Sequence, residues 1–235
     1  YQQWTYVQGL SIPYMEGIVM KNAINPIEEH EKPKDGPIKL IYHTTPHRGL
    51  DILVAVFEKL YSEVKQEIEL DVYSSFDIYG WKGKDEQFRE IFDRCEAHPG
   101  INYHGYQPND VVREALKSAH IYAYPSIWPE TSCISVIEAM SAGCAVVCPS
   151  FAALPETTAN WASMYPYQEH VPTHAQLFLN VTNNIIHNFW DESHQQKLFN
   201  QKAYTDMFYS WDLRIHEWQG LLIGLRDAWQ DRKTQ

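Results

Sequence analysis

The sequence lacks the features that mark several protein classes. Its net charge at pH 7 is -11, with 19 Lys and Arg residues against 30 Asp and Glu residues. A broad surface for nucleic acid or anionic lipid needs clustered basic residues, so neither partner is expected. No apolar run approaches the roughly 20 residues that span a bilayer, and the amino-terminal segment has no signal-peptide pattern. We therefore predict a folded protein without a transmembrane segment.

Cysteine is scarce as well. Cys95, Cys133, Cys144 and Cys148 lack the spacing of a zinc site and are too few for a disulfide scaffold in a chain of 235 residues. Cys144 and Cys148 fall where a helix is predicted to end and a strand to begin, which favours apolar packing over redox chemistry. A reducing compartment is the simplest interpretation, so we expect a cytoplasmic protein.

What the sequence does contain is an alternation of short apolar runs with helix-period segments, starting near residue 37. This pattern predicts βα units and a mainly parallel α/β sheet of Rossmann-like type, with helices on both faces. The predicted strands are Ile38–Thr45, Glu69–Phe76, Ile101–Gly105, His120–Ser126 and Ala145–Ser150. Four helices are expected between them, and a further helix after the fifth strand.

The two ends of the chain differ from this central region. Residues 1–35 lack the alternation and end in a charged, Pro- and Gly-bearing connector, whereas residues 36–190 are predicted to form the Rossmann-like domain. Residues 191–235 are predicted to be helices that pack back on this domain or on a partner. In the tail, an apolar stripe at helical spacing indicates either core packing or docking of another domain; it comprises Trp211, Ile215, Trp218, Leu222 and Leu225.

Ligands of open parallel sheets bind beyond the carboxyl ends of the strands, so the loops there are candidate sites. The loop HTTPHRGLD places His43, His47 and Arg48 at this edge. Arg48 at a helix start is suited to bind a phosphate together with helix amides, although a solvated Arg is an equally good interpretation of this loop taken alone.

Two carboxylates, Glu130 and Glu138, lie eight residues apart in an otherwise apolar segment. A helical rise of about 1.5 Å per residue separates them by roughly 12 Å, which is too far for a catalytic pair and suits the two ends of one elongated ligand. A buried Glu138 would need a hydroxyl or cationic partner. For each acid alone, the plainer interpretation is that Glu130 caps the helix and that Glu138 pairs with a surface Lys.

Several ordered segments resemble those of nucleotide-sugar glycosyltransferases with the GT-B fold, especially the retaining class that contains sucrose and glycogen synthases (glycosyltransferase family 4-like). The resemblance is close over residues 38–150 and looser in the tail. It rests on the segments HRGLDILVAVFEKL, HGYQPNDVVREALKSAHIYAYPS, PSIWPETSCISVIEAMSAGCAVVCPS, SFAALPETT and FYSWDLRIHEW. It implies that this chain is the donor-binding half of such an enzyme and that residues 36–190 are its nucleotide-sugar-binding domain. Because IVMKNAINP is similar to the family's interdomain linker, an upstream domain in the same polypeptide is also expected.

The resemblance assigns roles to individual residues. Glu138 would hold the ribose hydroxyls, and Arg48 would neutralise the departing diphosphate. Ser74 and Tyr106 would lie near the nucleoside. Glu130 would face the donor sugar and diphosphate together with the backbone amides of Thr131, Ser132, Cys133 and Ile134.

Two positions depart from the family pattern. His43 stands where members commonly carry an Arg, which makes one diphosphate contact weaker, pH-sensitive or absent. Ala152 and Ala153 replace a Gly-Gly turn and restrict the backbone there. We expect Glu130, Arg48 and His43 to be the catalytic residues, and an inverting reaction would need a base for which His43 or His47 is a candidate.

These observations lead to one main hypothesis and two alternatives. The main one is a metal-independent enzyme that transfers a hexose or deoxyhexose from a nucleoside-diphosphate sugar, UDP more than GDP, to a hydroxyl of a glycan or other acceptor. No cofactor is expected, and the sequence has no Asp-any-Asp motif. The alternatives are a nucleotide-sugar-binding half that is inactive alone, and a sugar-nucleotide epimerase of the same fold. A glycosyl transfer needs fixed positive groups for the leaving diphosphate, which Arg48 and a helix terminus would supply.

Overall fold

The near-continuous apolar runs form the strands of one parallel sheet in a computed structural model of the chain, which describes residues 1–233. The last two residues of the predicted tail, 234 and 235, lie outside the described residues. Within residues 1–233 the sheet has six strands, which are β1 (Ile38–Tyr42), β2 (Ile68–Val72), β3 (Ile101–Tyr103), β4 (Ile121–Ala123), β5 (Ala145–Ser150) and β6 (Ser163–Pro166).

Helices connect the strands and form the tail. They are α1 (Gln2–Leu10), α2 (Leu50–Glu63), α3 (Arg89–Ala97), α4 (Asn109–Ser118), α5 (Ile134–Ser141), α6 (Leu154–Thr158), α7 (Val171–Asn188), α8 (Glu192–Phe208) and α9 (Trp211–Lys233). The apolar face predicted for α2 is buried in the core, with Leu53 and Phe57 wholly inaccessible. Neither these helices nor any other in residues 1–233 is long and apolar enough to span a bilayer.

The strand order of the sheet is β3-β2-β1-β4-β5-β6, and every neighbouring pair is parallel. The chain moves outward from β1 to β3, then returns to the other side of β1 at β4, where Leu40 pairs with Ile121. Such a reversal leaves a crevice between the loops that follow the two central strands. The fold therefore places the loops after β1 and β4 side by side.

The predicted α/β architecture and all five predicted strands are confirmed, although several strands are shorter than predicted. The first strand ends at Tyr42 rather than Thr45, because the chain turns there into a short 3₁₀ helix at Pro46–Arg48. The strand β6 was not predicted. It has four residues, ends in Pro166 and lies at the edge of the sheet, where a proline is tolerated and the periodic signal is short.

All four cysteines are buried and form no disulfide, so Cys144 and Cys148 are buried as predicted. The Cys144 thiol donates to the backbone carbonyl of Ala119 at 3.3 Å.

The segment before the sheet is held against the helices by backbone contacts. Ile24 donates its N–H to the carbonyl of Tyr209 at 2.8 Å, and Ile27 donates to the Ser141 hydroxyl at 2.8 Å. The Lys202 ammonium donates to the Ile27 carbonyl at 2.6 Å. Residues 24–27 are thus fixed on the domain at several points.

The apolar stripe of the tail does form one helix, α9, but its side chains are exposed. The exposed fraction is 47% for Trp211 and 44% for Trp218, and Ile215, Leu222 and Leu225 are also exposed. The interpretation of this stripe as core is therefore wrong for residues 1–233. Docking of another domain stays a prediction.

Gly49, the residue before α2, allows the loop after β1 to lie close against the loop after β4. Its φ angle is 113°, and a Cβ built on it would lie 2.3 Å from the carbonyl oxygen of Pro125, in the loop after β4. Because that oxygen belongs to backbone, it has little freedom to move aside. Only glycine satisfies both the φ angle and the close approach.

We expect Gly49→Ala to lower the free energy of unfolding by about 3 kcal/mol or more, since it adds a backbone clash to an unfavourable φ. The matched control is Gly80→Ala, because Gly80 has a φ of 70° and open space around its Cβ position. That variant should lose only about 1 kcal/mol. Chemical denaturation of both variants measures the difference, and equal losses would contradict the proposed contact with Pro125.

Candidate active site

The crevice at the strand-order reversal is a cavity of about 520 Å³. Its walls are the loops after β1, β2, β3 and β4 and the start of α5. Of the ten residues predicted for the catalytic and donor sites, nine line this cavity: His43, Arg48, Tyr106, Glu130, Thr131, Ser132, Cys133, Ile134 and Glu138. The fold therefore brings together predicted residues from three separate loops and from helix α5.

Ser74 is the predicted residue that the structure does not place in the cavity wall. Its side chain is buried, and its hydroxyl has no hydrogen-bond partner within residues 1–233. The neighbouring Ser75 lines the cavity instead. The Ser75 hydroxyl donates to Asp85 at 2.5 Å and accepts from the Asp77 N–H at 2.9 Å. Because β2 ends at Val72, strand alternation no longer decides which of these serines faces the cavity.

Glu130 is a buried carboxylate shared by two donors. Its exposed fraction is 5%, and its Oε1 accepts from the Tyr124 hydroxyl at 2.5 Å and forms an ion pair with Arg48. Charge-assisted hydrogen bonds of this kind offset the cost of burying a carboxylate. Glu130 does not cap α5, contrary to the plainer interpretation of its position, since the residue before α5 is Cys133 and no side chain caps the helix.

Arg48 stays a cation under all ordinary conditions. Burial lowers the pKa of Arg48, but the Glu130 carboxylate and the Tyr124 hydroxyl together raise it by more than burial lowers it. The resulting pKa lies above the ordinary value for arginine. Its Nη1 donates to Glu130 and its Nε to the Thr45 hydroxyl, at 3.2 Å for the latter. Nη2 has no hydrogen-bond partner among the described residues, so it is free to donate to an anion in the cavity.

The amino terminus of α5 supplies further donors. The first backbone N–H groups of a helix have no partner within the helix, and in α5 no side chain takes their place. The residues just before and at this end, Thr131 to Ile134, line the cavity. A helix end without a cap next to a cation forms a suitable environment for phosphate.

Glu138 also lines the cavity and is 5% exposed. Its Oε1 accepts from Arg113 Nη1 at 3.0 Å, and both of its oxygens lie 3.3 Å from the Asn109 amide nitrogen. Its partner is thus a partly buried arginine rather than a surface lysine. Asn109 and Arg113 were missed in the sequence, although their i, i+4 spacing places them on one face of α4.

His43 is a poor cation in this site. Its ring packs on Tyr122 with 4.8 Å between centroids, and its Nε2 is buried without a hydrogen-bond partner within residues 1–233. Burial lowers the pKa of His43 to about 4, against a smaller opposite effect of the Ser135 carbonyl. His43 is therefore neutral near pH 7, so it does not replace the charge of an arginine.

His47 lies between two aromatic rings. It stacks on Phe76 at 5.2 Å and meets the edge of Trp128 at 4.8 Å. Burial and the nearby cations Arg48 and Lys84 lower its pKa. Neither histidine at this edge is thus predisposed to carry a positive charge.

One end of the cavity is aromatic. Tyr106 is 46% exposed, and it lines the cavity together with Tyr73, Ile78 and Tyr79. Tyr73 also stacks on His104, with ring centroids 4.3 Å apart. Flat apolar surfaces of this kind suit a heterocyclic ring.

The Ala-Ala turn after β5 adopts the backbone that glycine favours. Ala152 has a φ of 50°, and Ala153 donates its N–H to the Glu130 carbonyl at 3.0 Å. The turn therefore keeps its shape without glycine, at a cost of about 1 kcal/mol for the left-handed residue.

No group of three or more His, Cys, Asp or Glu side chains is placed to hold a metal ion in residues 1–233.

The lowered pKa of His43 predicts that the folded protein loses stability as the pH falls. Between pH 6.5 and 4 the unfolded chain binds a proton at this residue and the folded chain does not, so stability falls as the pH falls. At pH 5 this effect lowers the free energy of unfolding by about 2 kcal/mol relative to neutral pH. We expect His43→Asn to lose less stability than the wild type between pH 7 and 5, measured by denaturation at each pH. His216→Asn, on the exposed face of α9, is the control, and a variant at His43 with the wild-type pH profile would contradict the assignment.

Comparisons with known proteins agree with this architecture. The sequence profile of the family described as glycosyl transferases group 1 matches residues 25–177. Over 111 residues the chain is 28% identical to O-antigen chain mannosyltransferase B of Escherichia coli, covering 47% of this chain and 28% of that protein.

Solved structures share the fold at low sequence identity. A glycosyltransferase from Rickettsia africae has a TM-score of 0.74 and 14% identity, over 94% of this chain and 60% of that one. Sucrose-phosphate synthase from Thermosynechococcus elongatus has a TM-score of 0.63 and 19% identity, over 83% and 47%. HepE of Anabaena, in complex with UDP-glucose, has a TM-score of 0.64 and 14% identity, over 80% and 49%.

The chain thus spans between about a quarter and three fifths of the length of these relatives. The matching profile covers well over half of the chain, and the fold is shared with these solved glycosyltransferase structures. This protein belongs to the group 1 glycosyl transferases.

Proposed function

We propose that the cavity binds a nucleoside-diphosphate sugar, of the uridine class in preference to the guanosine class, and that a hexose or deoxyhexose is transferred from it to a hydroxyl of a glycan or other acceptor. The observation that carries the proposal is the convergence of Arg48, the uncapped start of α5 and Glu138 on one cavity of about 520 Å³. The HepE structure from Anabaena, which shares the fold, contains UDP-glucose.

The diphosphate would lie between Arg48 and the start of α5. In a transfer reaction the bond from the sugar to the diphosphate breaks, and negative charge develops on the leaving oxygen. Arg48 is held in place by Glu130 and the Thr45 hydroxyl, so it stabilises that charge without reorganising. A fixed cation and helix amides supply the positive charge that a metal ion supplies in other transferases, and we propose a metal-independent reaction on this basis.

The nucleoside would lie between Glu138 and the aromatic end of the cavity. The Glu138 carboxylate accepts hydrogen bonds, which suits two adjacent ribose hydroxyls. The base would lie against Tyr106 and Tyr73. The sugar would lie near Glu130, whose position between Arg48 and Tyr124 is fixed.

We further propose that the reaction retains the anomeric configuration and that the chain belongs with the retaining, family 4-like class. A general base works best when its pKa is close to the working pH. His43 has a pKa of about 4, and the pKa of His47 is also lowered, so both are weak candidates for the base of an inverting reaction.

A donor screen tests the proposal. Calorimetry of the 235-residue chain with UDP, GDP and ADP identifies the nucleotide, and mass spectrometry with the matching sugar donors, with and without EDTA, detects transfer or hydrolysis. NMR of the anomeric proton in the product then distinguishes retention from inversion. Absence of binding to every nucleoside diphosphate at millimolar concentration would contradict the proposal.

Removing Arg48 should weaken diphosphate binding selectively. Because Arg48→Ala alone would leave the buried Glu130 carboxylate without its cationic partner, the test variant is the double substitution Arg48→Ala with Glu130→Gln. We expect it to weaken UDP binding by about 2 kcal/mol or more, the value of a hydrogen bond to a charged group, while the affinity for uridine changes little. The single variant Glu130→Gln is the control that keeps Arg48. Equal losses for UDP and uridine, measured by calorimetry or ligand-observed NMR, would remove Arg48 from the phosphate site.

A further inference from the structure

Arg113 joins the Glu138 carboxylate to the backbone of the segment that precedes the sheet. Its Nη1 donates to Glu138 Oε1 at 3.0 Å. Its Nη2 donates to the carbonyl of Asn25 at 2.7 Å and to that of Pro26 at 3.3 Å. One planar guanidinium thus has a carboxylate on one arm and two backbone carbonyls on the other.

Arg113 approaches Glu138 from outside the donor cavity. It lines a neighbouring cavity of about 360 Å³ together with Asn25 and Pro26, whereas Glu138 lines the donor cavity. Asn109, one turn earlier on α4, lines both and also donates to Glu138. A ligand in the donor cavity would therefore contact Glu138 without contacting Arg113.

The backbone that holds the second arm of Arg113 is itself fixed. Residues on both sides of Asn25 and Pro26 are hydrogen-bonded to the domain: Ile24 to the carbonyl of Tyr209, just after α8, at 2.8 Å, and Ile27 to the Ser141 hydroxyl of α5 at 2.8 Å. The guanidinium is consequently anchored at its far end. A rigid donor behind a carboxylate sets the plane of that carboxylate.

Orientation decides how well one carboxylate binds two adjacent hydroxyls. Both oxygens must face the ligand together, and a side chain with free rotation about its terminal bonds loses entropy on each binding event. In this site Arg113 and Asn109 fix those rotations before a ligand arrives. A lysine at position 113 would provide a single point charge and could not replace the planar fork.

We propose that Arg113 is a positioning residue that orients Glu138 toward the ribose hydroxyls of the donor and ties that orientation to residues 25–26. The proposal rests on the proposed nucleotide-binding function and adds to it the origin of ribose recognition. Its specific consequence is that Arg113 contributes to discrimination between ribose and 2′,3′-dideoxyribose, and not to affinity for the base or the diphosphate.

The test compares two ligands, UDP and 2′,3′-dideoxy-UDP, on four forms of the 235-residue chain: wild type, Arg113→Met, Arg113→Lys and Arg94→Met. The measured quantity is the ratio of the two dissociation constants from calorimetry. Arg94 is the matched control, because it pairs with Glu58 at 2.8 Å through its own Nη2 and lines neither of the two cavities discussed here.

In the wild type we expect UDP to bind about 10- to 100-fold more tightly than its dideoxy analogue, which corresponds to hydrogen bonds to a charged group. Arg113→Met should reduce this ratio to about 3 or less, with the affinity for dideoxy-UDP changed by less than about twofold. Arg113→Lys should give an intermediate ratio, and Arg94→Met should keep the wild-type ratio.

A wild-type ratio in Arg113→Met, with both ligands weakened equally, would indicate a purely structural role and overturn the proposal. If that variant does not fold, a wild-type ratio in Arg113→Lys overturns it instead. If the wild type prefers UDP to the dideoxy analogue and the Arg113 variants keep that preference, the proposed function stands and only this inference fails. A wild type that binds no nucleoside diphosphate contradicts the proposed function and this inference together.

Discussion

The buried Glu130 carboxylate is the interaction on which the site depends. It accepts from Tyr124, which follows β4, and from Arg48, which follows β1. These two strands are neighbours in the sheet but lie far apart in the chain, so the carboxylate joins the loops on both sides of the strand-order reversal. Without its two donors, a carboxylate that is 5% exposed would be strongly destabilising. The same interaction therefore stabilises the crevice and holds its main cation in place.

A second group of contacts lies behind the cavity and connects it to the rest of the domain. Glu138 is bonded to two residues of α4, and one of these is bonded to the backbone of residues 25–26. That backbone is held in turn by α5 and α8. A side chain at the ligand surface is thus supported by three layers of hydrogen bonds. Such support allows a polar residue to be buried and oriented in the absence of ligand.

Sequence patterns predicted the fold well where the structural period was strong. The alternation of apolar runs and helical stripes predicted the five central strands and the helices between them, since a buried parallel strand and an amphipathic helix each impose a clear period. The edge strand β6 was too short to leave such a signal. The stripe of the tail predicted helix α9 correctly but did not show whether anything covers it, and Trp211 and Trp218 are exposed in the structure.

For the candidate site, the sequence indicated which loops line the cavity but not which contacts each side chain makes. The choice between Ser74 and Ser75 depends on where β2 ends, and the pKa of His43 depends on the rings and backbone packed around it. The same holds for the partners of the two glutamates. Arg48 and Arg113 come from loops and helices 82 and 25 residues away in the chain, and contacts over such separations have no local signature.

The sequence by itself determined the α/β class, the order of the elements and the set of residues that reach the carboxyl edge of the sheet, because these follow from periodicity and from the topology of parallel strands. The tertiary structure alone decided which charged residues form ion pairs, which carboxylate oxygens accept hydrogen bonds and which histidine has a strongly lowered pKa. The physical reason is that burial and electrostatic pairing depend on distances of a few ångströms between residues that are remote in the chain.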